Sequence, residues 1–238
     1  MATDSTPTNY SSSNFGMAFL AIASGSSDVI VFLMLGHVFA SAMTGNTALL
    51  GIAVSDGNWL AASQPVAALL GFVAGAALAS TLYNPARSAV RQSTIVRTLL
   101  VFEAVCLGGF ALVWEMSDHP TEGAVHYGLI LLCSIGMGIQ GIAAKRIDAP
   151  GVNTIVFTST LVTIVSSVTE ILLRREDSPV IRTATKRQIA VFGAYGAGAL
   201  IAGLFYWSEF PLLIWMPVTA VVFALGSYEV KHTRPKSA

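Results

Sequence analysis

The feature that most constrains this chain is a series of eight apolar runs, each long enough to form a membrane-embedded helix. Crossing about 30 Å of hydrocarbon takes roughly 20 residues. Of the 238 residues, 54% are hydrophobic and 11% are charged, whereas a soluble domain carries about 25% charged residues. The sequence therefore predicts an all-α membrane protein, a helical bundle formed by residues 15–35, 38–54, 66–83, 95–114, 125–144, 154–173, 189–206 and 211–228.

The charges between the runs indicate how many of them cross the membrane. Lys and Arg favour the cytoplasmic side, and basic segments follow both the fifth run and the sixth run, at 145–146 and 174–187. Eight full spans would place these two segments on opposite sides. The conflict disappears if the second and sixth runs are short or re-entrant helices. This arrangement leaves about six transmembrane spans with both termini cytoplasmic, and eight full spans are the alternative.

The domain organisation follows from the same pattern. Residues 1–14 are polar and contain no Lys or Arg, which predicts a disordered cytoplasmic tail and no cleaved signal peptide. Residues 229–238 are basic and predict a cytoplasmic C-terminal tail. Residues 15–228 between them form a single helical membrane domain. The sequence does not indicate whether the protein resides in the plasma membrane or in an internal membrane.

The membrane domain contains two similar halves, residues 15–114 and 125–228. GFVAGAALASTLY at 71–83 aligns with AYGAGALIAGLFY at 194–206, and MTGNT at 43–47 falls opposite FTSTL at 157–161. With three spans and one re-entrant helix per half, the second half would insert upside down. Such inverted repeats are typical of transporters and channels, whose sites lie near the midplane where broken helices meet.

A polar interruption, SAMTGNTALLG at 41–51, divides the second run. Gly45 tolerates positive φ or close packing, and Thr44 or Asn46 can cap a helix that restarts at Thr47. The start of such a half-helix presents free N–H groups and a positive dipole end to an anion or a polar solute. The alternative is a capped turn beneath a short buried helix, without any ligand.

Asp28 lies about midway along the first run. An ionisable group at membrane depth usually faces the bundle or a cavity and has a partner. Asp28 is therefore a candidate proton or cation site, and the alternative is a carboxyl group that only locks helices together. Gln140, flanked by glycines, is its approximate counterpart in the second half, and its amide needs partners in lipid. Thr158 of the second polar run completes the candidate site.

Two further titratable residues are secondary candidates. Glu103 lies about two turns into its run, where we expect it to pair with Arg97 or another basic group at the cytoplasmic interface. His37, at the turn after the first run, could titrate near physiological pH or could simply lie at the interface.

The composition argues against several other classes of protein. The net charge is zero, so a nucleic-acid partner is not expected, and Cys106 and Cys133 in apolar runs predict small buried residues. No catalytic, metal-binding or nucleotide-binding motif is present, which predicts neither an enzyme nor a bound cofactor. We interpret the remaining glycine clusters as packing faces between helices, namely Gly71, Gly75, Gly193, Gly196, Gly198 and Gly203.

Several segments resemble a known family, the YoaK-like family (DUF1275). GSSDVIVF at 25–32, GHVF at 36–39 and MTGNTALLG at 43–51 are similar to its opening block, and GMGIQ at 136–140 with residues 153–158 to its later block. The resemblance extends over residues 15 to 228 and implies an integral membrane protein of about six helices, without a substrate. Thr158-Ser-Thr160 stands where members often have a Thr-Gly pair, which puts a second glycine-hinged half-helix in doubt.

Two hypotheses of function follow. The first is a permease or channel-like transporter of a small polar or ionic solute, with a site lined by Asp28, Thr44, Gly45, Asn46, Gln140 and Thr158. The second is a non-transporting membrane scaffold or assembly partner, in which these polar residues only hold helices together. The lipid bilayer is the one firm partner, and self-association into a homo-oligomer is open.

Overall fold

The computed structural model describes residues 11–82, 89–117, 120, 122–146, 157–173 and 179–227, and every regular element in this part of the chain is helical. The helices are α1 (Ser11–Met34), α2 (Met43–Ser55), α3 (Trp59–Leu82), α4 (Ala89–Met116), α5 (Gly123–Arg146), α6 (Phe157–Leu172), α7 (Pro179–Trp207) and α8 (Met216–Ser227), with a 3₁₀ turn at Leu213–Trp215.

The helix lengths change the predicted number of spans. Five helices of the described chain are long and apolar enough to cross a membrane, namely α1, α3, α4, α5 and α7. The predicted second and sixth runs form the short helices α2 and α6, with 13 and 16 residues. The last predicted span forms a 3₁₀ turn and α8, and Leu213–Ser227 is a shorter apolar helix that leads from the end of α7 to Gly16 near the start of α1. Eight full spans do not fit these lengths.

Some helix boundaries also differ from the sequence prediction. The first helix begins at Ser11, inside the predicted N-terminal tail, while residues 1–10 and 228–238 lie outside the described chain. Helix α7 begins ten residues before the predicted run, so the basic residues Arg182, Lys186 and Arg187 lie in a helix rather than in a connection. Arg182 and Lys186 are exposed there, whereas Arg187 is buried.

Contacts between helix ends show which termini share an end of the bundle. The side chain of Gln64 near the start of α3 lies against Gly36 after the end of α1. Ser63 and Tyr127 share a hydroxyl hydrogen bond of 2.6 Å, which brings the starts of α3 and α5 together. At the opposite end, Gly16 of α1 lies against Ser227 of α8. The first and last described helices therefore begin and finish at the same end.

The two ends of the bundle differ in charge. The end where α1, α4 and α7 terminate carries acidic residues, and we call it the acidic end: Asp56, Glu115, Glu122 and Glu209. The other end, where α5 terminates and α4 and α7 begin, is the basic end: Arg97, Lys145, Arg146, Arg182, Lys186 and Arg187. Helix α2 both begins and finishes toward the acidic end, because α1 ends there and α3 starts there. It therefore does not cross the bundle.

The two halves of the chain pack in matching pairs. Helix α1 packs on α7 as α5 packs on α3, and α1 packs on α8 as α5 packs on α4. Gly25 of α1 contacts the α7 backbone, and Gly138 of α5 contacts the α3 backbone in the same manner. The backbone atoms they meet belong to Tyr195 and Ala199 in α7 and to Phe72 and Ala76 in α3. These are the residues that the sequence alignment of the halves places opposite each other.

The direction of the helices follows from further glycine contacts. Gly71 lies against Leu131 and Gly75 against Ile135, so α3 and α5 run parallel. Helices α1 and α5 run antiparallel, because Gln140 bonds the carbonyl of Leu20 whereas Cys133, two turns earlier, lies beside Ser27. Each half therefore packs with its first helix pointing opposite to the first helix of the other half.

Small residues allow the closest of these crossings. At Gly75, Gly138 and Gly198 an added Cβ would overlap backbone atoms of the facing helix. The prediction of packing faces is thus confirmed for Gly198 and for the Gly71–Gly75 pair. It is wrong for Gly193, Gly196 and Gly203, which face no described atom within 4 Å.

The core lies at the meeting of α1, α4, α5 and α8, and the outer surface is apolar. Phe110, Met17, Leu129 and Met137 are among the fully buried side chains. Large apolar residues are exposed along the spans, as lipid-facing positions require: Leu70, Val73, Leu78, Val101, Phe102, Val105, Leu112, Leu200 and Leu204.

Candidate functional site

The candidate site is centred on Asp28, a carboxyl group inside the bundle. Asp28 lies in α1, six residues before the helix ends at Met34, and is 2% exposed. At 1.5 Å per residue this is about 9 Å inside the acidic end of α1. The chain after α1 turns back into the bundle, and Ser41 and Ala42 reach Asp28 just before α2 begins. Asp28 thus lies where the short helix starts.

Every hydrogen bond that Asp28 makes within the described chain is a bond that it accepts. Its Oδ1 accepts backbone N–H groups from Ser41 at 2.6 Å and from Ala42 at 3.4 Å. Its Oδ2 accepts the hydroxyl groups of Ser41 at 2.7 Å and of Tyr195, on α7, at 2.8 Å. A carboxylate accepts without donating, so this arrangement suits the ionised form of Asp28.

The hydrogen bonds of this cluster continue from Ser41 to Ser24, one turn before Asp28 on α1. The Oγ atoms of Ser24 and Ser41 lie 2.8 Å apart, and Ser41 in turn donates to Asp28. Chains of hydrogen bonds polarise one another at low dielectric. The positive end of α2 adds to this attraction, since a helix N-terminus favours a negative charge. The predicted start at Thr47 with a cap from Thr44 or Asn46 is wrong, because α2 begins at Met43 and its N-cap residue, Ala42, receives no side-chain cap. The backbone N–H groups of Ser41 and Ala42 are bonded instead to a carboxylate of the protein itself.

Asn46 of the polar interruption is engaged with the turn that precedes α2. Its Oδ1 accepts the N–H of Phe39 at 2.8 Å, and its Nδ2 donates to the carbonyl of the same residue at 2.7 Å. The ring of Phe39 also lies over Gly45, where an added Cβ would be 2.9 Å from ring carbons. Thr44 is exposed. These three residues lie together at the start of α2, but only Asn46 is buried.

Gln140 lies apart from Asp28, nearer the basic end. It is 1% exposed, and its Nε2 donates to the carbonyl of Leu20 at 3.0 Å. Its Oε1 is buried without a hydrogen-bond partner among the described residues. The matching contacts of Gly25 and Gly138 place Gly141, one residue further on, opposite Asp28 in the repeat. Gln140 therefore connects α5 to α1 nearer the basic end than Asp28 does.

The predicted pairing of Glu103 with Arg97 is wrong for the described chain. Glu103 is 0% exposed, and neither carboxyl oxygen has a hydrogen-bond partner there. Arg97, six residues earlier on α4, is exposed. Six residues on a helix correspond to a rotation of about 600°, or 240° net, so the two side chains leave the helix on different faces.

The remaining candidates lie outside the Asp28 cluster. His37 is exposed at the turn after α1, has φ of 63° and makes an edge contact with the ring of Phe32. The side chain of Thr158 falls outside the described part of the structure. Cys106 and Cys133 are free thiols. Among the described residues, no three His, Cys, Asp or Glu side chains come together as metal ligands.

A cavity of ≈ 430 Å³ opens at the acidic end of the bundle. It lies where α1, α4 and α7 terminate, and its described lining combines two carboxylates, several aromatic rings and no Lys or Arg. The residues that define it are Met34, Trp114, Glu115, Tyr206, Glu209 and Phe210. Carboxylates and aromatic faces both attract cations.

Sequence reasoning missed two of the residues that hold Asp28. Tyr195 lies in a Gly/Ala-rich helix of the other half, 167 positions away along the chain, and only the α1–α7 crossing brings it close. Ser41 is the first residue of the polar interruption, so its polar side chain was a signal in the sequence.

These features define a class: a multi-pass, all-α integral membrane protein with five candidate spans and a buried carboxylate at a broken helix. The model of the family described as "Protein of unknown function (DUF1275)" matches residues 16–227. The chain belongs to this family. It is 31% identical over 221 residues to the UPF0700 transmembrane protein YoaK of Bacillus subtilis (strain 168), covering 92% of this chain and 96% of the relative. No solved structure matches.

Proposed function

We propose that this protein is a proton-coupled permease or channel-like transporter for a small polar or ionic solute. The observation that carries the proposal is the bonding of a buried carboxylate, Asp28, to Ser41 and Ala42, the two residues directly before a short helix that does not cross the bundle. Ionisable groups inside membrane proteins mark ion and substrate pathways. The absence of a catalytic motif in the sequence agrees with a protein that is not an enzyme.

Protonation of Asp28 is the step that couples a proton to a change of shape. A proton arriving at Oδ2 would meet two hydroxyl groups, those of Ser41 and Tyr195, which can turn to accept instead of donate. Loss of the negative charge weakens the bonds from the backbone N–H groups of Ser41 and Ala42 and the attraction to the positive end of α2. The start of α2 is then free to leave Asp28 and open a path for the solute.

The membrane orientation proposed here follows from the charges of the two ends. Lys and Arg gather at the basic end, which we place in the cytoplasm together with both termini. Helices α2 and α6 then become re-entrant helices, and the two halves become inverted repeats. In such an arrangement the solute site lies between the repeats, near the starts of α2 and α6. Asp28 belongs to the outer half of the membrane.

The cavity at the acidic end supports entry of protons or cations from the outside. Two carboxylates, Glu115 and Glu209, line it together with aromatic rings. Fixed negative charge at the mouth of a cleft raises the local concentration of cations. The same charge opposes entry of an anion, so a cationic or neutral solute fits the cavity better than the anion that a free helix start would attract.

The test is a flux assay in proteoliposomes with a panel of inorganic ions, small amines, carboxylates and polyols, with and without a proton gradient. Asp28→Asn imitates the protonated acid in size and keeps a carbonyl acceptor, so we expect a folded protein whose flux no longer responds to the gradient. Tyr127→Phe, at a neutral hydroxyl bond with Ser63, is the matched control. Unchanged gradient dependence in folded Asp28→Asn would refute the coupling.

The second candidate function is a non-transporting scaffold, and the bonds of Asn46 favour it. Both amide atoms of Asn46 are engaged with Phe39, which is what a purely structural residue would do. A scaffold predicts that Asp28→Asn and Asn46→Ala lower stability while the wild-type protein moves none of the solutes. Flux of any solute above protein-free vesicles separates the two functions.

A further inference from the structure

Glu103 is a second buried carboxyl group, and its surroundings differ from those of Asp28. It lies in α4, is 0% exposed, and both of its oxygens are buried without a hydrogen-bond partner among the described residues. An ionised carboxylate needs a counter-charge or several donors when it leaves water. The described surroundings of Glu103 offer it neither, so a proton is the simplest way to neutralise it.

The register of α4 against α5 shows which polar group lies at the level of Glu103. Gly109 lies against Leu132, and Gly136 lies against Cys106, so the two helices run antiparallel. One further turn brings Glu103 to the level of Gln140. The Oε1 of Gln140 is itself buried without a partner among the described residues. A carboxyl O–H is the donor that this oxygen lacks, and the amide oxygen is the acceptor that a neutral Glu103 needs.

The titratable groups around Glu103 are few. On α4 itself Cys106 lies within electrostatic reach, and on α5 Cys133 does. Helix α8 and the preceding 3₁₀ turn, which also pack on α4, contain no charged or titratable residue. Cys133 also lies near Asp28 and beside Ser27. The Cys133 thiol therefore lies within electrostatic reach of both buried acids.

We propose that Glu103 is a proton-binding site in the core of the bundle, a neutral carboxyl group that donates to Gln140. Glu103 and Gln140 lie toward the basic end, whereas Asp28 lies toward the acidic end. Antiparallel α1 places Asp28 near the level of Cys133, so the two acids differ in depth by about seven residues of α5, roughly 10 Å. Ser27 and Cys133 lie at the level of Asp28. The two acids are successive proton-binding sites for a proton that crosses the bundle.

The part of Glu103 in coupling rests on the permease function proposed above, whereas its protonation does not. The first measurement is therefore independent of transport. The infrared spectrum of the purified full-length Glu103→Gln variant is subtracted from that of the wild-type protein, both at neutral pH. We expect a C=O band of a protonated carboxyl group that shifts in heavy water. Its absence would overturn the proposal. Glu103→Asp, which keeps a carboxyl group, should shift this band rather than remove it.

Labelling with dicyclohexylcarbodiimide, which reacts with protonated carboxyl groups, then identifies the residue that carries the proton. A protonated carboxyl group adds across one C=N bond, its proton going to nitrogen and its oxygen to carbon, and the adduct rearranges to an N-acylurea without a leaving group. Mass spectrometry should find the adduct on Glu103 in the wild type and in Asp28→Asn, and no adduct on the exposed Glu115. Adduct on Glu115 without adduct on Glu103 would overturn the assignment.

The role in coupling is decided by flux and proton uptake in the same vesicles. Glu103→Gln keeps an uncharged side chain of similar size, so it should fold and lose proton uptake together with solute flux. Unchanged proton-coupled flux in Glu103→Gln would remove Glu103 from the path while Asp28 keeps its role. Absence of flux in the wild type, with the infrared band present, would refute the permease and leave the proton site standing.

Discussion

The bond between Tyr195 and Asp28 offers a direct test of whether Asp28 is ionised. Tyr195→Phe removes one hydroxyl group, which donates to Oδ2 of Asp28 at 2.8 Å, and leaves the ring in place. A hydrogen bond to a charged group contributes about 1.5–3 kcal/mol, whereas a neutral bond contributes about 0.5–1.5 kcal/mol. The amount of stability that Tyr195→Phe loses therefore shows whether the acceptor, Asp28, is charged.

Tyr127→Phe is the matched control for this measurement. Its hydroxyl group makes an interhelical bond of 2.6 Å with Ser63, a neutral partner. In a protein of this size 1 kcal/mol moves the unfolding midpoint by about 2–4 °C. We expect a decrease of about 3–12 °C for Tyr195→Phe and about 1–6 °C for Tyr127→Phe in the same preparation.

The assay is thermal unfolding in detergent micelles, followed by circular dichroism at neutral and acidic pH. At acidic pH the decrease in unfolding midpoint caused by Tyr195→Phe should approach the decrease caused by Tyr127→Phe, because a protonated Asp28 is a neutral acceptor. Equal losses for the two variants at neutral pH would refute the ionised state of Asp28, and with it the proton switch at α2.

Two further predictions concern the packing and the turn before α2. Gly138→Ala places a Cβ against the backbone of Phe72 and Ala76, so we expect a loss of about 1–3 kcal/mol from overpacking, measured by thermal unfolding. Gly196→Ala, at an exposed position with no described atom within 4 Å, should cost nothing, and a similar loss there would contradict the steric explanation. Asn46→Ala leaves the N–H and carbonyl of Phe39 without their partner and should cost about 1–3 kcal/mol for each buried group. Asn46→Asp keeps the acceptor and should retain part of the stability; equal losses would argue against the paired bonds.

The sequence determined the class of the protein and the main candidates, because these depend on local composition. Long apolar runs specify helices that can satisfy their own backbone in lipid, and the polar content of the second and sixth runs marked the short helices α2 and α6. A carboxyl group within an apolar run identified Asp28. The alignment of residues 71–83 with 194–206 pairs the residues whose backbone atoms Gly138 and Gly25 contact.

Tertiary structure decided what those candidates touch. Tyr195 reaches Asp28 only through the α1–α7 crossing, and the turn after α1 brings Ser41 back to the same carboxylate. Helix α4 turns Glu103 inward and leaves Arg97 exposed, which removed the expected ion pair. The physical reason is that a hydrogen bond or an ion pair requires contact within a few ångströms, and the spacing of residues along a chain sets such distances only within one helix.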